Sequence, residues 1–340
     1  MSAPVVGVTT PSTARYAELT ALVRERGLLE TRTSSYVLQA VGVLVVLSGV
    51  VAAMVVWRHS WWLLLGAVVL AVTSTQLGFL GHDVSHQQVT RNRRSSRRLG
   101  LATANLMGGL SYGWWIAKHN AHHAHPNDLT KDPDVRTGVL VFDSSQARVR
   151  RGLAAWTTRH QAALFFPLLL GEAVNLHVAS IRWSWSGGTR SRTTERVLLA
   201  THFLAYGTLL ATTLTWPQAI AFVAVHKAVQ GLYLGCAFAP NHKGMPVLGP
   251  EQAADPLLRQ VLTSRNIRGG PFTDALLGGL NYQIEHHLFP SMPRANLRRA
   301  QPVVRQYCED HGIPYLECSA ASSYAAALRH LDRVGAATVG

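Results

Sequence analysis

The chain contains little charge and few cysteines. Only 15% of its 340 residues are charged, whereas 48% are hydrophobic. This balance favours a membrane protein over two ordinary soluble domains, because the apolar residues also fall in long blocks. The 3 cysteines are an odd count without paired spacing. They exclude a disulfide framework and a thiolate metal site, and they fit a reducing cytosolic compartment.

Acidic residues are scarce as well. The sequence has 18 Asp and Glu residues against 32 Lys and Arg residues, which gives a net charge of +14. Such a charge is typical of proteins that bind nucleic acid or an anionic membrane surface. Because the basic residues flank apolar segments, we expect membrane lipids as partners and no nucleic acid. Residues 1–30 also lack the pattern of a cleaved signal peptide, so insertion is expected to rest on the first membrane span.

Four segments are long and apolar enough to cross a bilayer, which requires about 20 such residues. They are residues 36–57, 61–81, 197–216 and 220–239. The links within each pair are very short, at residues 58–60 and around Pro217, which predicts two membrane hairpins. The sequence therefore predicts an all-α integral membrane protein with four transmembrane helices. Two further apolar stretches, 99–116 and 162–181, are interpreted as helices that lie in the interface or dip into it.

The basic residues also predict the orientation. They concentrate in the N-terminal segment, the long central loop and the tail, whereas the two hairpin turns hold only Arg58. By the positive-inside rule, both termini and the central loop face the cytosol. We expect a cytosolic N-terminal segment at 1–35, a membrane domain at 36–310 and a cytosolic tail at 311–340. The region from residue 251 onwards is predicted to form short helices, among them one at 294–311.

Three clusters on the predicted cytosolic side hold eight of the 16 histidines, if His125 at the end of the second cluster is counted. The first contains His82 and His86, directly after the second span. On a helix, positions i and i+4 share one face, so both imidazoles can reach one metal. The second contains His119, His122 and His123, whose spacing of i, i+3 and i+4 again places them on one face.

The third cluster repeats this spacing with a different leading residue. Gln283 stands in the first place and is followed by His286 and His287. His242 follows the fourth span as a ninth histidine, and His125 lies just beyond the second cluster. The repetition of one spacing in three clusters predicts a metal site rather than scattered surface histidines.

Seven or eight imidazoles are too many for one ion and therefore indicate two metals. Nitrogen ligation suits zinc, copper, iron or nickel. A zinc hydrolase normally keeps three ligands and a carboxylate base, and the sequence has no HExxH motif. Two irons would suit oxygen activation and attack on strong C–H bonds, but the residues alone leave the metal open. A membrane zinc-dependent lipid hydrolase and a scaffold with inactive clusters remain alternatives.

At these clusters the sequence resembles the membrane fatty acid desaturase family. The residues that carry the resemblance are HDVSH (82–86), KHNAHHAHPN (118–127) and NYQIEHHLFP (281–290). The order of spans and clusters matches over most of the chain. The Gln-led third cluster and its Leu-Phe-Pro resemble the front-end desaturases and the related bacterial acyl-lipid or acyl-CoA desaturases. The resemblance implies a multi-pass protein of a bacterial cell membrane whose cytosolic helical cap carries two iron ions.

The resemblance also implies the roles of individual residues. The iron ligands would be His82, His86, His119, His122, His123, His242, His286 and His287. Gln283 replaces a histidine found elsewhere in the family. It is therefore counted among the candidate partners that orient the imidazoles, which are Asp83, Asn120, Asn241, Gln283 and Glu285. Apart from Gln283, these residues are interpreted equally well as ordinary polar residues of an interface. His125, His177, His202 and His226 are not expected to be ligands.

The family implies oxygen as co-substrate and loss of two hydrogens from neighbouring methylenes of a fatty acyl lipid or acyl-CoA. A narrow apolar tunnel among the spans would select the carbons and keep water away. A separate ferredoxin, cytochrome or flavin reductase would supply two electrons. This expectation rests on the lack of both the His-Pro-Gly-Gly of a fused cytochrome and a GxGxxG fingerprint. The closest rival is a related membrane hydroxylase, ketolase or alkane-type monooxygenase, which only product analysis separates.

Overall fold

The computed structural model describes residues 12–186 and 192–338. This part of the chain is almost entirely helical. Its one sheet consists of two parallel strands, β1 (Asn266–Ile267) and β2 (Glu317–Cys318). The prediction of an all-α protein is confirmed, and the short strand pair is an addition that the apolar pattern of the tail did not indicate.

The α-helices of the described residues are numbered in chain order. The first nine are α1 (Ser12–Glu25), α2 (Thr33–Val56), α3 (Leu63–Ser85), α4 (Arg93–Gly100), α5 (Tyr112–Ala124), α6 (Ser144–Arg148), α7 (Gly152–Arg159), α8 (Gln161–Leu169) and α9 (Glu172–Ser186). The others are α10 (Arg192–Thr213), α11 (Trp216–Phe238), α12 (Pro250–Ala254), α13 (Pro256–Leu262), α14 (Pro271–Leu276), α15 (Gln283–Leu288), α16 (Arg294–Asp310) and α17 (Ala320–Ala336). A π-helical segment, Leu101–Met107, follows α4, and a single 3₁₀ turn, Ala239–Asn241, follows α11.

The chain divides into two compact units. The membrane unit comprises Thr31–Ala117 and Phe166–Cys236. The histidine unit comprises the described residues of Met1–Glu30, Lys118–Phe165 and Ala237–Gly340. The names reflect their contents, because the first unit holds most of the apolar helices and the second holds two of the three histidine clusters.

Three helical segments are long and apolar enough to cross a membrane. They are Thr33–Val56, Leu63–Ser85 and Trp216–Asn241. A fourth crossing is reached if α8 and α9, which are bent by 72° relative to each other, form one span. The predicted third span coincides with α10, but α10 is not among these segments because charged residues and threonines interrupt its apolar ones. The described chain is thus a membrane protein with three to four candidate spans.

The second hairpin turn lies earlier than the sequence predicts. The apolar pattern places it around Pro217, but α10 ends at Thr213 and α11 already begins at Trp216. Pro217 lies in the first turn of α11, where the missing N–H of proline leaves no helical hydrogen bond unmade. Hydrogen bonds join this turn to the turn of the first hairpin. The backbone amide of His59 donates to the Thr213 carbonyl at 2.9 Å, and Gln218 Nε2 donates to the His59 carbonyl at 2.6 Å. Both hairpins therefore turn at the same end of the membrane unit.

The apolar stretch at 99–116 is a broken helix. Its π-helical part ends at Met107, and Gly109 takes a φ of +66° that suits glycine. Such a break frees carbonyl groups, which a membrane interior cannot satisfy with water. His177 Nδ1 donates to the Gly109 carbonyl at 2.9 Å, and His202 Nδ1 donates to the Leu106 carbonyl at 3.0 Å. These histidines support the backbone break and, among the described residues, join no group of metal-ligating side chains.

The stretch at 162–181 is broken as well, between α8 and α9. Helix α11 approaches this break through Gly231 and Gly235. A Cβ atom at Gly231 would lie 2.4 Å from the Leu169 carbonyl oxygen, and one at Gly235 would lie 2.4 Å from Leu169 Cδ2. Small residues four positions apart allow this close approach of helices in a membrane. The two glycines therefore determine how α11 packs on the broken helix.

We expect His177→Leu to lower the midpoint of thermal unfolding. The Gly109 carbonyl would lose its donor, and a buried unsatisfied carbonyl costs about 1–3 kcal/mol. The midpoint of the detergent-solubilised protein would be measured beside that of Val178→Ala, a change at the next position of the same helix. An unchanged midpoint for His177→Leu, or an equal decrease in both variants, would contradict a supporting role for His177.

The core of the histidine unit is built from α1, α13, α15 and α16. The residues buried in it include Leu19, Val23, Leu257, Val261, Ile284, Leu288, Leu297 and Val304. Polar contacts add to this packing. Arg15 forms a buried ion pair with Asp255 at 2.7 Å, and the Tyr16 hydroxyl donates to the Leu288 carbonyl at 2.5 Å. Helix α1 is thus an integral part of the unit that positions the third histidine cluster.

Candidate metal centre

The second and third histidine clusters lie on two helices of the histidine unit. His119, His122 and His123 project from α5, at the spacing that the sequence predicts. His286 and His287 lie on α15, whose side chains are all buried. Helix α15 has only six residues, so its conformation depends on the surrounding core rather than on its own helix propensity. The core packing described above therefore positions these imidazoles.

The first group of converging imidazoles consists of His119, His123 and His286. Their ligating nitrogens lie within 4.8 Å of one another. His123 Nε2 is 3.1 Å from His119 Nε2 and 3.2 Å from His286 Nε2. Two nitrogens bound to one ion at about 2.1 Å in a right-angled arrangement lie about 3 Å apart. The spacing of this group therefore fits ligands of one metal ion.

The second group consists of His122, His242 and His287. All three are buried, and their ligating nitrogens also lie within 4.8 Å of one another. His122 Nε2 lies 3.4 Å from His242 Nε2, and the rings of His242 and His287 have centroids 4.5 Å apart. Burial and the neighbouring His122 lower the pKa of His242 well below its usual value, which keeps this imidazole neutral and able to bind a metal. His125 joins neither group.

Each imidazole of the second group is held through its other ring nitrogen. His122 Nδ1 donates to Asp132 Oδ2 at 2.9 Å, and His287 Nδ1 donates to Gln260 Oε1 at 3.0 Å. His242 Nδ1 donates to the Thr263 carbonyl at 3.0 Å. A proton fixed on Nδ1 makes Nε2 the nitrogen that can bind a metal, and in His242 a metal would replace the hydrogen bond that this Nε2 accepts from Gln283.

Sequence reasoning missed all three of these acceptors. Asp132 lies ten positions after His122 and could have been found as an acidic residue close to a histidine cluster. Gln260 and Thr263 belong to α13 and its C-terminal end, far from any cluster in sequence. No local pattern marks them, so only the packing of α13 beside the histidines identifies their role.

A third group, His122 with Asp132 and Asp134, is better explained as support for His122 than as a separate metal site. Asp132 already accepts the Asn127 amide at 2.8 Å in addition to the imidazole of His122. Asp134 forms an ion pair with Lys118. Burial alone would raise the pKa of Asp134, but the positive charges around it, Lys118 first, hold that pKa well below its usual value. Both carboxylates are therefore occupied by protein donors.

The predicted orienting residues occupy different places. Gln283 Nε2 donates to His242 Nε2 at 2.9 Å, while its Oε1 accepts from Asn241 Nδ2 at 3.1 Å. In this orientation, the side-chain amide of Gln283 points its NH₂ group toward the second group of imidazoles. An NH₂ group cannot bind a metal. Glu285 instead accepts from Asn266 Nδ2 and the Tyr315 hydroxyl, both at 2.7 Å. The carboxylate thereby links α15 to the strand pair.

The last two predicted partners are Asn120 and Asp83. Asn120 is exposed on α5. Asp83 is buried in the membrane unit, where its Oδ1 accepts from His82 Nδ1 at 2.9 Å. Asp83 therefore fixes the proton of His82 in the way that Asp132 fixes that of His122.

The first histidine cluster lies in the membrane unit, at the C-terminal end of α3. His82 belongs to the last turn of this helix and His86 directly follows it. Both are buried, and their rings meet edge to face with centroids 4.8 Å apart. Burial, together with the nearby His82, lowers the pKa of His86 well below its usual value. The two imidazoles thus lie together at the end of the helix, and that of His86 is held neutral.

We expect Asp132→Asn to lower the metal content of the purified protein. Loss of a carboxylate that orients a metal-bound histidine typically costs 10–100-fold in metal affinity, and we expect about tenfold. Metal per chain would be measured by mass spectrometry after dialysis against a weak chelator. Asp128→Asn is the matched control, because this half-buried aspartate of the same loop bonds only within its own turn. Equal metal content in both variants would exclude the orienting role of Asp132.

Comparisons with known proteins agree with the resemblance of the clusters. Residues 59–319 match the family described as fatty acid desaturase. The chain is 31% identical over 325 residues to Delta(8)-fatty-acid desaturase 2 of Arabidopsis thaliana, covering 89% of this chain and 71% of that protein. It is 28% identical over 344 residues to Delta(6)-fatty-acid desaturase fat-3 of Caenorhabditis elegans, covering 94% and 74%. It is also 32% identical over 288 residues to acyl-lipid (9-3)-desaturase of Physcomitrium patens, covering 81% and 54%.

Proposed function

The chain belongs to the fatty acid desaturase family, and we propose that it works as a front-end desaturase with two iron ions and molecular oxygen. As a member it is an oxidoreductase that acts on a fatty acyl lipid. The observation that carries the metal proposal is the convergence of six buried imidazoles into two groups of three in the histidine unit. The proposal of a front-end desaturase is supported by the names of the chain's relatives, which include Delta(8), Delta(6) and Delta(5) desaturases.

The iron ligands that we propose are the eight histidines His82, His86, His119, His122, His123, His242, His286 and His287. Their donor set fits iron, because imidazole nitrogen is a suitable ligand for it. The metals would supply the oxygen chemistry that removes two hydrogens from adjacent methylenes. The overall reaction converts –CH₂–CH₂–, one O₂, two electrons and two protons into –CH=CH– and two water molecules.

The protein's own residues have three tasks in this reaction. Asp132, Gln260 and the Thr263 carbonyl keep the protons of their histidines on Nδ1. Burial keeps His86 and His242 neutral across the physiological pH range. The apolar core around α15 shields the imidazoles of His286 and His287 from bulk water. The apolar helices of the membrane unit would supply the acyl chain's binding site.

We propose that both termini, residues 1–35 and 311–340, and the metal centre face the cytosol of a bacterial cell. This orientation is supported by the basic residues of the termini and the central loop. A separate ferredoxin, cytochrome or flavin reductase would deliver the two electrons there. The acyl chain would be carried by a glycerolipid or by coenzyme A.

The test is analysis of the fatty acids made by cells that express the chain. We expect a new unsaturated acyl product, identified by gas chromatography and mass spectrometry of double-bond derivatives, that requires oxygen and is lost in His286→Ala. A hydroxylated product would instead identify a membrane monooxygenase. Bound zinc alone, with release of free acid that is independent of oxygen, would identify a hydrolase and overturn the proposal.

A further inference from the structure

Helix α7 and the segments beside it expose an apolar surface on the histidine unit. Val139 is 62% exposed, Val149 72%, Leu153 78% and Trp156 53%. Large apolar side chains that are exposed close together on a protein surface usually mark an interaction site. None of these four side chains belongs to the core around α15. The set is therefore a candidate interaction surface.

The same surface contains a groove with a volume of about 350 Å³. Its lining residues are Gly138, Val139, Arg150, Leu153, Ala154 and Thr157. The groove is shallow and open to one side, so it suits a ligand that stays partly exposed at the protein surface. The walls are mainly aliphatic, with one guanidinium. A groove of this composition suits part of an acyl chain next to an anionic group.

One arginine, Arg150, lines the groove, and three more are close to it in the sequence. Arg148, Arg150, Arg151 and Arg159 lie within or beside α7, whereas Asp143 is the only acidic residue between positions 135 and 171. Among the described residues, Arg150, Arg151 and Arg159 form no ion pair. Arg150 donates to the Gly138 carbonyl through Nη2, and its buried Nε has no acceptor in the described part of the chain. The groove thus combines aliphatic walls with unpaired positive charge.

We propose that this groove binds an anionic phospholipid of the bilayer, with an acyl chain against Leu153 and Trp156 and the phosphate at Arg150 and Arg151. The position of α7 in the chain favours a membrane partner over an acidic protein. Only His160 separates α7 from α8, and α8 is the first half of a candidate membrane span. Exposed aliphatic and aromatic side chains beside arginines are typical of helices that lie in the lipid interface. The site uses none of the proposed metal ligands and is independent of the desaturation reaction.

The test is titration of the detergent-purified full chain with palmitoyl-oleoyl phosphatidylglycerol, with bound lipids counted by native mass spectrometry. We expect at least one phosphatidylglycerol to bind more tightly than phosphatidylcholine with the same acyl chains. Arg150→Gln with Arg151→Gln should weaken phosphatidylglycerol binding on the order of tenfold. Leu153→Ser, which leaves the charge unchanged, should weaken the binding of the same lipid. Inorganic phosphate should not compete, since it lacks the acyl chain.

The matched control is Arg24→Gln with Arg26→Gln. These two exposed arginines belong to the same unit, and their loss changes the net charge equally. We expect this control to bind phosphatidylglycerol like the unmodified chain. An equal loss in both double variants, or no loss in Arg150→Gln with Arg151→Gln, would overturn the proposal. Thermal unfolding of each variant would establish that a loss of binding is not a loss of fold.

Discussion

Replacement of His122 by alanine will deplete the purified protein of metal and reduce desaturation by about a hundredfold or more. Loss of a residue that only orients a metal ligand already lowers metal affinity or activity by about 10–100-fold. Loss of the ligand itself should lower them at least as much. His122 is buried, its Nε2 lies 3.4 Å from His242 Nε2, and its Nδ1 is held by Asp132. Metal would be measured per chain by mass spectrometry and activity by the yield of unsaturated product.

His125→Ala is the matched control, because this histidine follows the same helix but joins neither group of imidazoles. We expect it to keep both metal and activity. About two irons per chain in the unmodified protein, lowered by His122→Ala alone, would agree with the proposal. One zinc per chain, or metal content that does not depend on His122, would reject the two-iron centre.

Replacement of Gly231 by alanine will destabilise the membrane unit by about 3 kcal/mol or more, because an added methyl group in a well-packed contact forces the backbone apart. The new Cβ would lie 2.4 Å from the Leu169 carbonyl oxygen and 2.9 Å from the Ala173 amide nitrogen. Both atoms belong to the backbone at the break between α8 and α9. They cannot move aside as the end of a flexible side chain can. The midpoint of thermal unfolding in detergent would measure the effect.

Gly207→Ala is the control, and we expect it to stabilise the protein rather than destabilise it. Gly207 lies inside α10, and a Cβ atom there would meet nothing within 4 Å. Alanine at such a position should stabilise the helix by about 0.5–1 kcal/mol. If Gly231→Ala were as stable as Gly207→Ala, the close approach of α11 to the broken helix would not be required for folding.

The helices that carry the longest apolar runs could be predicted from the sequence, because twenty residues without charge have few other environments available to them. The first hairpin illustrates this, since the predicted spans 36–57 and 61–81 correspond to α2 and α3. The second hairpin is predicted less well. Its predicted turn lies at Pro217, but proline is also favoured in the first turn of a helix, and the local pattern does not distinguish the two positions.

The histidine spacing predicted which imidazoles share a helix face, because that relation is local. It could not predict which residues hold their other nitrogens. Gln260 lies 27 positions from His287, and Thr263 lies 21 positions from His242. Such contacts depend on tertiary packing, which no periodicity encodes. Glu285 depends on tertiary packing in the same way, because its position next to His286 indicates an orienting role, and its carboxylate bonds to the distant Asn266 and Tyr315.

The ion pair between Arg15 and Asp255 also constrains the order in which the molecule assembles. The two residues are 240 positions apart in the chain. At a synthesis rate of about 5–20 residues per second, α1 leaves the ribosome roughly 10 to 50 seconds before its partner exists. During that interval the apolar hairpins can already enter the bilayer, while the first helix has nothing to pack against. The core around α15, to which α1 contributes, can therefore be completed only after both apolar hairpins have been synthesised.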